Sequence, residues 1–518
     1  MKMRSFLFLA AVAMGLTFAA GAAWAQCRVT ETRIGDEAAV VLENRLVRLQ
    51  LRPAHGGRID QLVHKPTAKH LTAQGDGKVF IDRVWNYADA AVYRQWTDAV
   101  YAHKLTQGSN EAKVTLTCRG SVGIGKRLTF EKTFSLTAGC AAVRADYVIS
   151  LGHEAMVPKP VGVWWHNRLG VPQEATTYYI PTSQGVQSVA YGAGAAGQYW
   201  WYDLARGWGA ALGDGGTGVA VVMDYRKLMC FYNYMSGDVA GMEWAYRSED
   251  IPNGGAATTT MWLVPFAGLT AVNGAAQDVV GEIAVPASVN IAQADEGMPV
   301  TVRLAAPRTW QAAARLTWQR LPDGDVTELA RWDARLSTSS VSEKRLQLKL
   351  TEAGTYVLRT EVLRGDELVA DLLASVVVGK ASAEVTIDPL QKRLGRVDER
   401  FEDKIASKGN APQDRPPSES VVTPHVKWAK PLATGGLKTL ILNDVLTERE
   451  TVELAQRVDM DYTAPTVASP GYIRNSGARL GRALTFEQAQ ENVARHLKDD
   501  FDVIAIGGLS GKILTDDM

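Results

Sequence analysis

The sequence predicts a multidomain, mainly β protein: a large antiparallel β-sandwich, a smaller second β-sandwich, and the opening of a parallel α/β sheet. Three observations lead there. The chain has 518 residues, which at about 100–200 residues per domain makes roughly three domains. Short apolar runs of period two recur as far as about residue 380, separated by Gly, Pro and Asn. Beyond a Pro-rich stretch the rhythm changes to capped helices between short apolar strands.

Composition narrows the function. Hydrophobic residues make up 46% and charged residues 22%, enough apolar surface for sizeable cores. Lys plus Arg and Asp plus Glu are equal at 56 each, so no basic excess exists to neutralise a phosphate backbone, and nucleic acid is excluded as the expected partner. An uncharged partner is expected. The 14 Trp and 16 Tyr residues offer rings that stack on sugars, which points to carbohydrate.

Residues 1–25 read as a signal peptide: Lys2 and Arg4, the apolar run Phe6 to Ala20, and the small-residue site Ala23-Trp24-Ala25. Cleavage after Ala25 would leave 54 basic against 56 acidic residues. The run is short for a membrane span, so a periplasmic or secreted protein is expected, with no integral membrane segment after cleavage. Cys27, Cys118, Cys140 and Cys230 all fall in the mature chain. In an oxidising compartment a bridge between Cys118 and Cys140 competes with buried free thiols. No cysteine or histidine spacing matches a metal site, and no cofactor motif stands out.

Residues 26–286 hold the first group of strands: Val40 to Leu51, Lys113 to Cys118, Arg127 to Leu136, Ala142 to Leu151 and Gly218 to Tyr225. Residues 287–380 hold Val300 to Leu304, Ala314 to Trp318, Arg345 to Leu350 and Tyr356 to Val362, with turn chemistry at Pro322-Asp323-Gly324-Asp325. Short strands at this spacing suit an immunoglobulin-like sandwich. Residues 381–436 form a charged helix and a Pro-rich linker. In residues 437–518, Lys438 to Leu442 is a strand, Thr447-Glu448-Arg449-Glu450 opens a helix carrying Val452, Ala455 and Val458, Thr485-Phe486-Glu487-Gln488 opens another, and Asp502 to Ile506 is a strand. Only the first part of a parallel sheet is present, so the chain reads as truncated. Gly507 to Lys512 lacks the glycine and the hydroxyl residue of a phosphate loop.

The chemistry-bearing clusters are Trp164-Trp165-His166-Asn167, Trp200-Trp201-Tyr202-Asp203 and Met242-Glu243-Trp244-Ala245-Tyr246. Chemistry at an anomeric carbon needs an acid and a base on opposite sides of the ring, and His166 with Glu243 could supply them near neutral pH. Arg83, Trp85, Trp164, Trp165 and Asn167 are the candidate substrate-binding residues. Asp82, Arg83, Trp85, Tyr93, Arg94, Trp96 and Tyr101 read together as an aromatic and charged loop over the same face. The plainer alternatives are a satisfied core histidine, a carboxylate on a solvated strand and a packed loop. Trp164 and Trp165 must face opposite sides of a strand, so one of them belongs to the core.

Two resemblances follow. Leu42-Glu43-Asn44-Arg45-Leu46-Val47-Arg48-Leu49, then Pro53, Gly56-Gly57-Arg58-Ile59 and Leu62, resembles the opening of the galactose mutarotase-like (aldose epimerase-like) β-supersandwich. That resemblance implies a histidine near His166 that protonates the ring oxygen and a glutamate near Glu243 that takes the anomeric proton. Lys438 to Gly508 resembles the first half of a class I glutamine amidotransferase-like domain. That group's nucleophile is a cysteine on a later elbow, and no cysteine follows Cys230. The expected function is an exported carbohydrate-binding protein ancillary to glycan processing. An enzyme acting at an anomeric carbon and a structural or interaction protein are the alternatives.

Overall fold

The computed structural model describes residues 27–379 apart from 73–77, 85–90, 92–93, 154–158, 173, 183–184, 192–196, 202–203, 237–238 and 322–323, together with 436–442, 454, 458, 460–465, 486–507, 514–515 and 518. The signal peptide, the linker and the glycines after Gly507 therefore lie outside the described residues, as does most of the helix expected from Thr447.

The protein is mainly β, built almost wholly from antiparallel sheets. The run Val40 to Leu51 is two strands, Glu37–Glu43 and Val47–Arg52. Asn44 divides it: its Oδ1 accepts the Leu46 and Val47 N–H groups at 2.8 and 2.9 Å, closing a hairpin inside an apolar stretch. These strands join Arg28–Ile34, Arg58–His64 and Lys69–His70 in one five-stranded sheet. A nine-stranded sheet has Ala256–Ala267 in the middle, followed toward one edge by Val143–Leu151, Leu128–Thr137 and Glu111–Arg119. A second five-stranded sheet runs in the order Gly197–Trp201, Leu228–Ser236, Val239–Tyr246, Val163–His166, Ile81–Val84. One apolar core joins all three.

The core holds a buried ion pair. Lys132 and Asp82 are fully buried and 2.7 Å apart. The Lys132 ammonium donates also to the carbonyls of Gly56 at 2.7 Å and Phe80 at 3.0 Å. Asp82 accepts from the Tyr101 and Tyr147 hydroxyls, each at 2.9 Å. All three ammonium protons therefore have acceptors. Burial holds the Lys132 pKa below its ordinary value, against the pull of Asp82. Gly57 makes room for it: its φ is +55°, and a Cβ there would stand 3.1 Å from Lys132 Cε and from the Tyr101 ring.

The smaller sandwich stacks a four-stranded sheet, Gly274–Ala276, Val279–Ala284, Met298–Ala305 and Ser342–Leu348, on a five-stranded one, Ser288–Asn290, Glu367–Gly379, Gly354–Arg364, Trp310–Arg320 and Thr327–Leu336. Its first two strands precede the expected boundary at residue 286, because Val279–Ala284 pairs with Met298–Ala305 rather than with any strand of the larger sandwich. The sandwiches share an apolar cluster in which Trp208, Leu212 and Phe266 meet Val280 and Ala305. Arg206 spans the junction to Asp371 with two hydrogen bonds, at 3.2 and 2.6 Å. Burial pushes the Asp371 carboxyl up, but Arg206 outweighs it and the pKa lies below the usual value. Asp371→Asn should cost about 1–3 kcal/mol, because it leaves a buried guanidinium short of its charged partner. Denaturant melts of the wild type and the variant would check this, and equal midpoints would contradict it.

In the C-terminal part, Met460–Thr463, Leu437–Leu442 and Val503–Ile506 form a parallel sheet with Leu437–Leu442 in the middle. Helix Phe486–His496 carries Glu487 in its first turn and Arg495 and His496 in its last, complementing its dipole. Among the described residues no helix is long and apolar enough to cross a membrane.

The four cysteines are free. Cys118 pairs with Phe130 at one end of its hairpin, whereas Cys140 lies past the other end, where Ala112 pairs with Leu136. Six strand residues separate those ends by about 20 Å, too far for a disulfide.

Candidate functional site

The second five-stranded sheet has two faces, and its register sorts the candidates between them. Trp165 opposes Trp244 and Asp82, and these side chains point into the core. Trp164 opposes Arg83 and Ala245, so alternation places Arg83, Trp164, His166 and Glu243 on the outer face. Tyr232 opposes Glu243 and Tyr234 opposes Gly241, which adds two half-buried rings to that face.

Glu243 is the hub. One oxygen lies 3.0 Å from His166 Nδ1, and the other accepts the Trp164 indole N–H at 2.9 Å. The Glu243 side chain is 4% exposed and that of His166 20%, so the histidine is the member solvent reaches. The Trp164 ring stacks against the imidazole at 5.4 Å and meets Tyr232 edge-on at 6.0 Å. Burial holds the His166 pKa below its ordinary value. Glu243 opposes that shift, while Arg83 and Arg168 add to it. The imidazole is therefore neutral at pH 7, and its Nδ1–H faces a carboxylate, which leaves the lone pair on Nε2. Such a dyad can hold, accept or return one proton.

Several sequence expectations are corrected here. His166 and Glu243 were expected on opposite sides of a sugar ring, but they touch each other, so no ring fits between them. Trp165 is fully buried, with its ring edge-on to Tyr147 at 5.4 Å and to Tyr246 at 4.8 Å, and it belongs to the core. Asn167 is 1% exposed and ties two backbones together, accepting from Phe80 N at 2.7 Å and donating to Trp165 O at 2.9 Å. That makes it a structural clamp. Asp82, Trp96 and Tyr101, read as part of a loop over the face, are buried behind it. Trp201 likewise lies in the core, donating to Asn233 Oδ1 at 2.8 Å. Trp85 and Tyr93 lie outside the described residues.

Three site residues escaped the sequence reading: Tyr232, Tyr234 and Arg168, whose guanidinium lies 5.9 Å from the Tyr234 ring centroid. Alternation along Phe231-Tyr232-Asn233-Tyr234 was the available signal for the tyrosines. Among the described residues no group of three or more His, Cys, Asp or Glu is placed to hold a metal ion.

No protein-family profile matches the chain. No curated protein matches it in sequence. Among solved structures, a galactose mutarotase-like protein from Clostridium acetobutylicum matches with a TM-score of 0.38 and 9% identity over 47% of this chain and 99% of that one. A galactose 1-epimerase from Lactobacillus acidophilus matches with a TM-score of 0.33 and 9% identity over 47% of this chain and 99% of that one. A TPR-domain containing protein from Parabacteroides distasonis matches with a TM-score of 0.36 and 13% identity over 44% of this chain. Of that protein, the match spans 47%, about half its length. The structural neighbours thus include galactose mutarotase-like and aldose epimerase folds, all at low sequence identity.

Proposed function

We propose that this chain is an exported carbohydrate-binding protein, ancillary to glycan processing, whose sugar site is the outer face around Glu243. The observation that carries this reading is the joining of Trp164, His166 and Glu243 into one hydrogen-bonded unit beside two half-buried tyrosine rings. Aromatic rings beside a few fixed polar groups are what a sugar face and its hydroxyls require. Export rests on the signal sequence. The smaller sandwich is read as immunoglobulin-like and the C-terminal sheet as the first half of an amidotransferase-like domain, both serving the sugar-binding unit rather than adding chemistry.

A glycan array with the full chain tests binding. Replacing Tyr234 by Ala removes one ring without touching the dyad and should weaken binding about three- to tenfold. An array without saturable signals would refute the reading.

The second reading, an enzyme acting at an anomeric carbon, is favoured by one observation: a neutral imidazole held by a carboxylate is a ready proton acceptor. Polarimetry on galactose and glucose decides between them. If the dyad catalyses mutarotation, Glu243→Gln should slow it about 10²–10⁴-fold while sparing most binding. Binding without any catalysed rotation leaves the first reading standing.

A further inference from the structure

We infer that the cleft between the two sandwiches is a second binding site, separate from the face around Glu243, and that it takes an uncharged oligosaccharide.

The cleft forms where the sandwiches part. On strand Ala256–Ala267, alternation places Thr258, Thr260 and Trp262 on the face that carries Phe266 into the shared apolar cluster. Trp262 and Val222 pack at the margin of that cluster. Beyond them a cleft of about 680 Å³ opens between this face and the smaller sandwich, which contributes Gln277, Asp278, Arg364 and Glu367. Small-molecule sites commonly have about 300–1,000 Å³ and favour the junctions between domains.

The charges that line the cleft cancel. Asp146 pairs with Arg144 at 2.9 Å, and Asp224 pairs with Arg226 at 3.3 Å. Asp278 holds both Arg308 and Arg364, at 2.8 and 2.7 Å. Glu367, which has no ion pair among the described residues, offsets the second of those arginines. Four carboxylates thus stand against four guanidiniums, and an ionic ligand of either sign finds no surplus counter-charge.

What the cleft leaves open is hydrogen-bonding capacity that solvent reaches. Thr258, Gln277 and Glu367 are exposed, and their side chains make no hydrogen bond among the described residues. Arg364 commits Nη2 to Asp278 and is 38% exposed, and its other nitrogens have no acceptor among the described residues. Donors and acceptors therefore stand together, beside the apolar side chain of Leu368, which is 47% exposed. A sugar hydroxyl donates and accepts at once, and a sugar ring adds apolar C–H edges for the aliphatic wall. Because the open groups come from both sandwiches, a ligand that meets them all must span the junction, which favours a chain of sugar units over one ring.

Calorimetric titration of the full chain with maltotriose, cellotriose and β-1,4-galactotriose, with trigalacturonate as the charged control, tests the inference. At least one neutral trisaccharide should bind saturably, and about tenfold or more tightly than trigalacturonate. The double substitution Gln277→Ala with Glu367→Ala removes two open groups at exposed positions, so it spares the fold, and it should weaken that binding at least about tenfold. Tyr234→Ala, on the Glu243 face, should leave it within about twofold. No saturable binding of a neutral trisaccharide, or binding that survives the double substitution, would overturn the cleft site. Binding lost in Tyr234→Ala and kept in the double variant would overturn it as well, while leaving the Glu243 face as the sugar site. Trigalacturonate binding as tightly as the neutral chains would overturn the uncharged class.

Discussion

Replacing Lys132 by Met is expected to cost the larger sandwich about 3–5 kcal/mol of unfolding free energy, the range for breaking a buried ion pair by removing one partner. The variant leaves the Asp82 carboxylate fully buried with two phenol donors and no cation, and it strands the carbonyls of Gly56 and Phe80. Methionine fills similar volume, so the loss reports charge and hydrogen bonding rather than a cavity. Denaturant unfolding at fixed pH measures it, and a change below about 1 kcal/mol would show that the pair is dispensable. Strand Ile81–Val84, which bears both Asp82 and Arg83, is an edge strand of the site sheet. Sugar binding should therefore weaken along with stability.

The second large effect is a loss of stability in mild acid, centred on His64. This residue closes strand Arg58–His64, is 4% exposed, and has Nδ1 2.9 Å from the Thr67 hydroxyl. Burial lowers its pKa from 6.5 to about 4. Between those values the unfolded chain binds the proton and the folded one does not, so the stabilisation is complete above pH 6.5 and drains away as pH falls to 4. The full loss is about 3 kcal/mol at 1.36 kcal/mol per pH unit. His64→Asn should flatten the stability curve through that window. Parallel curves for wild type and variant would assign the acid sensitivity elsewhere.

Much of this architecture was legible in the sequence because strand alternation is a local signal. Ala142 to Leu151 alternates cleanly and became Val143–Leu151. Asn44 was harder to read, since a single Asx turn folded an apolar run that otherwise looks continuous. The site was legible in residue type but not in arrangement. That one of Trp164 and Trp165 belongs to the core follows from adjacency, yet which one depends on the sheet behind them. The contact of His166 with Glu243 comes from strands 77 positions apart in the chain, and their register is not encoded locally. Asp82 misled for a related reason: a carboxylate beside arginine and aromatics resembles a surface cluster until a buried lysine from a distant strand claims it.

The apolar cluster shared by the two sandwiches bears on how this protein can be divided. A cut at Pro286 would pass just after Val279–Ala284, stripping that strand of its partner Met298–Ala305 and baring Trp208, Leu212 and Phe266 on the larger piece. Such a piece would carry a sticky apolar patch of the kind that drives self-association. Expressing residues 27–379 together keeps that cluster covered and Val279–Ala284 paired.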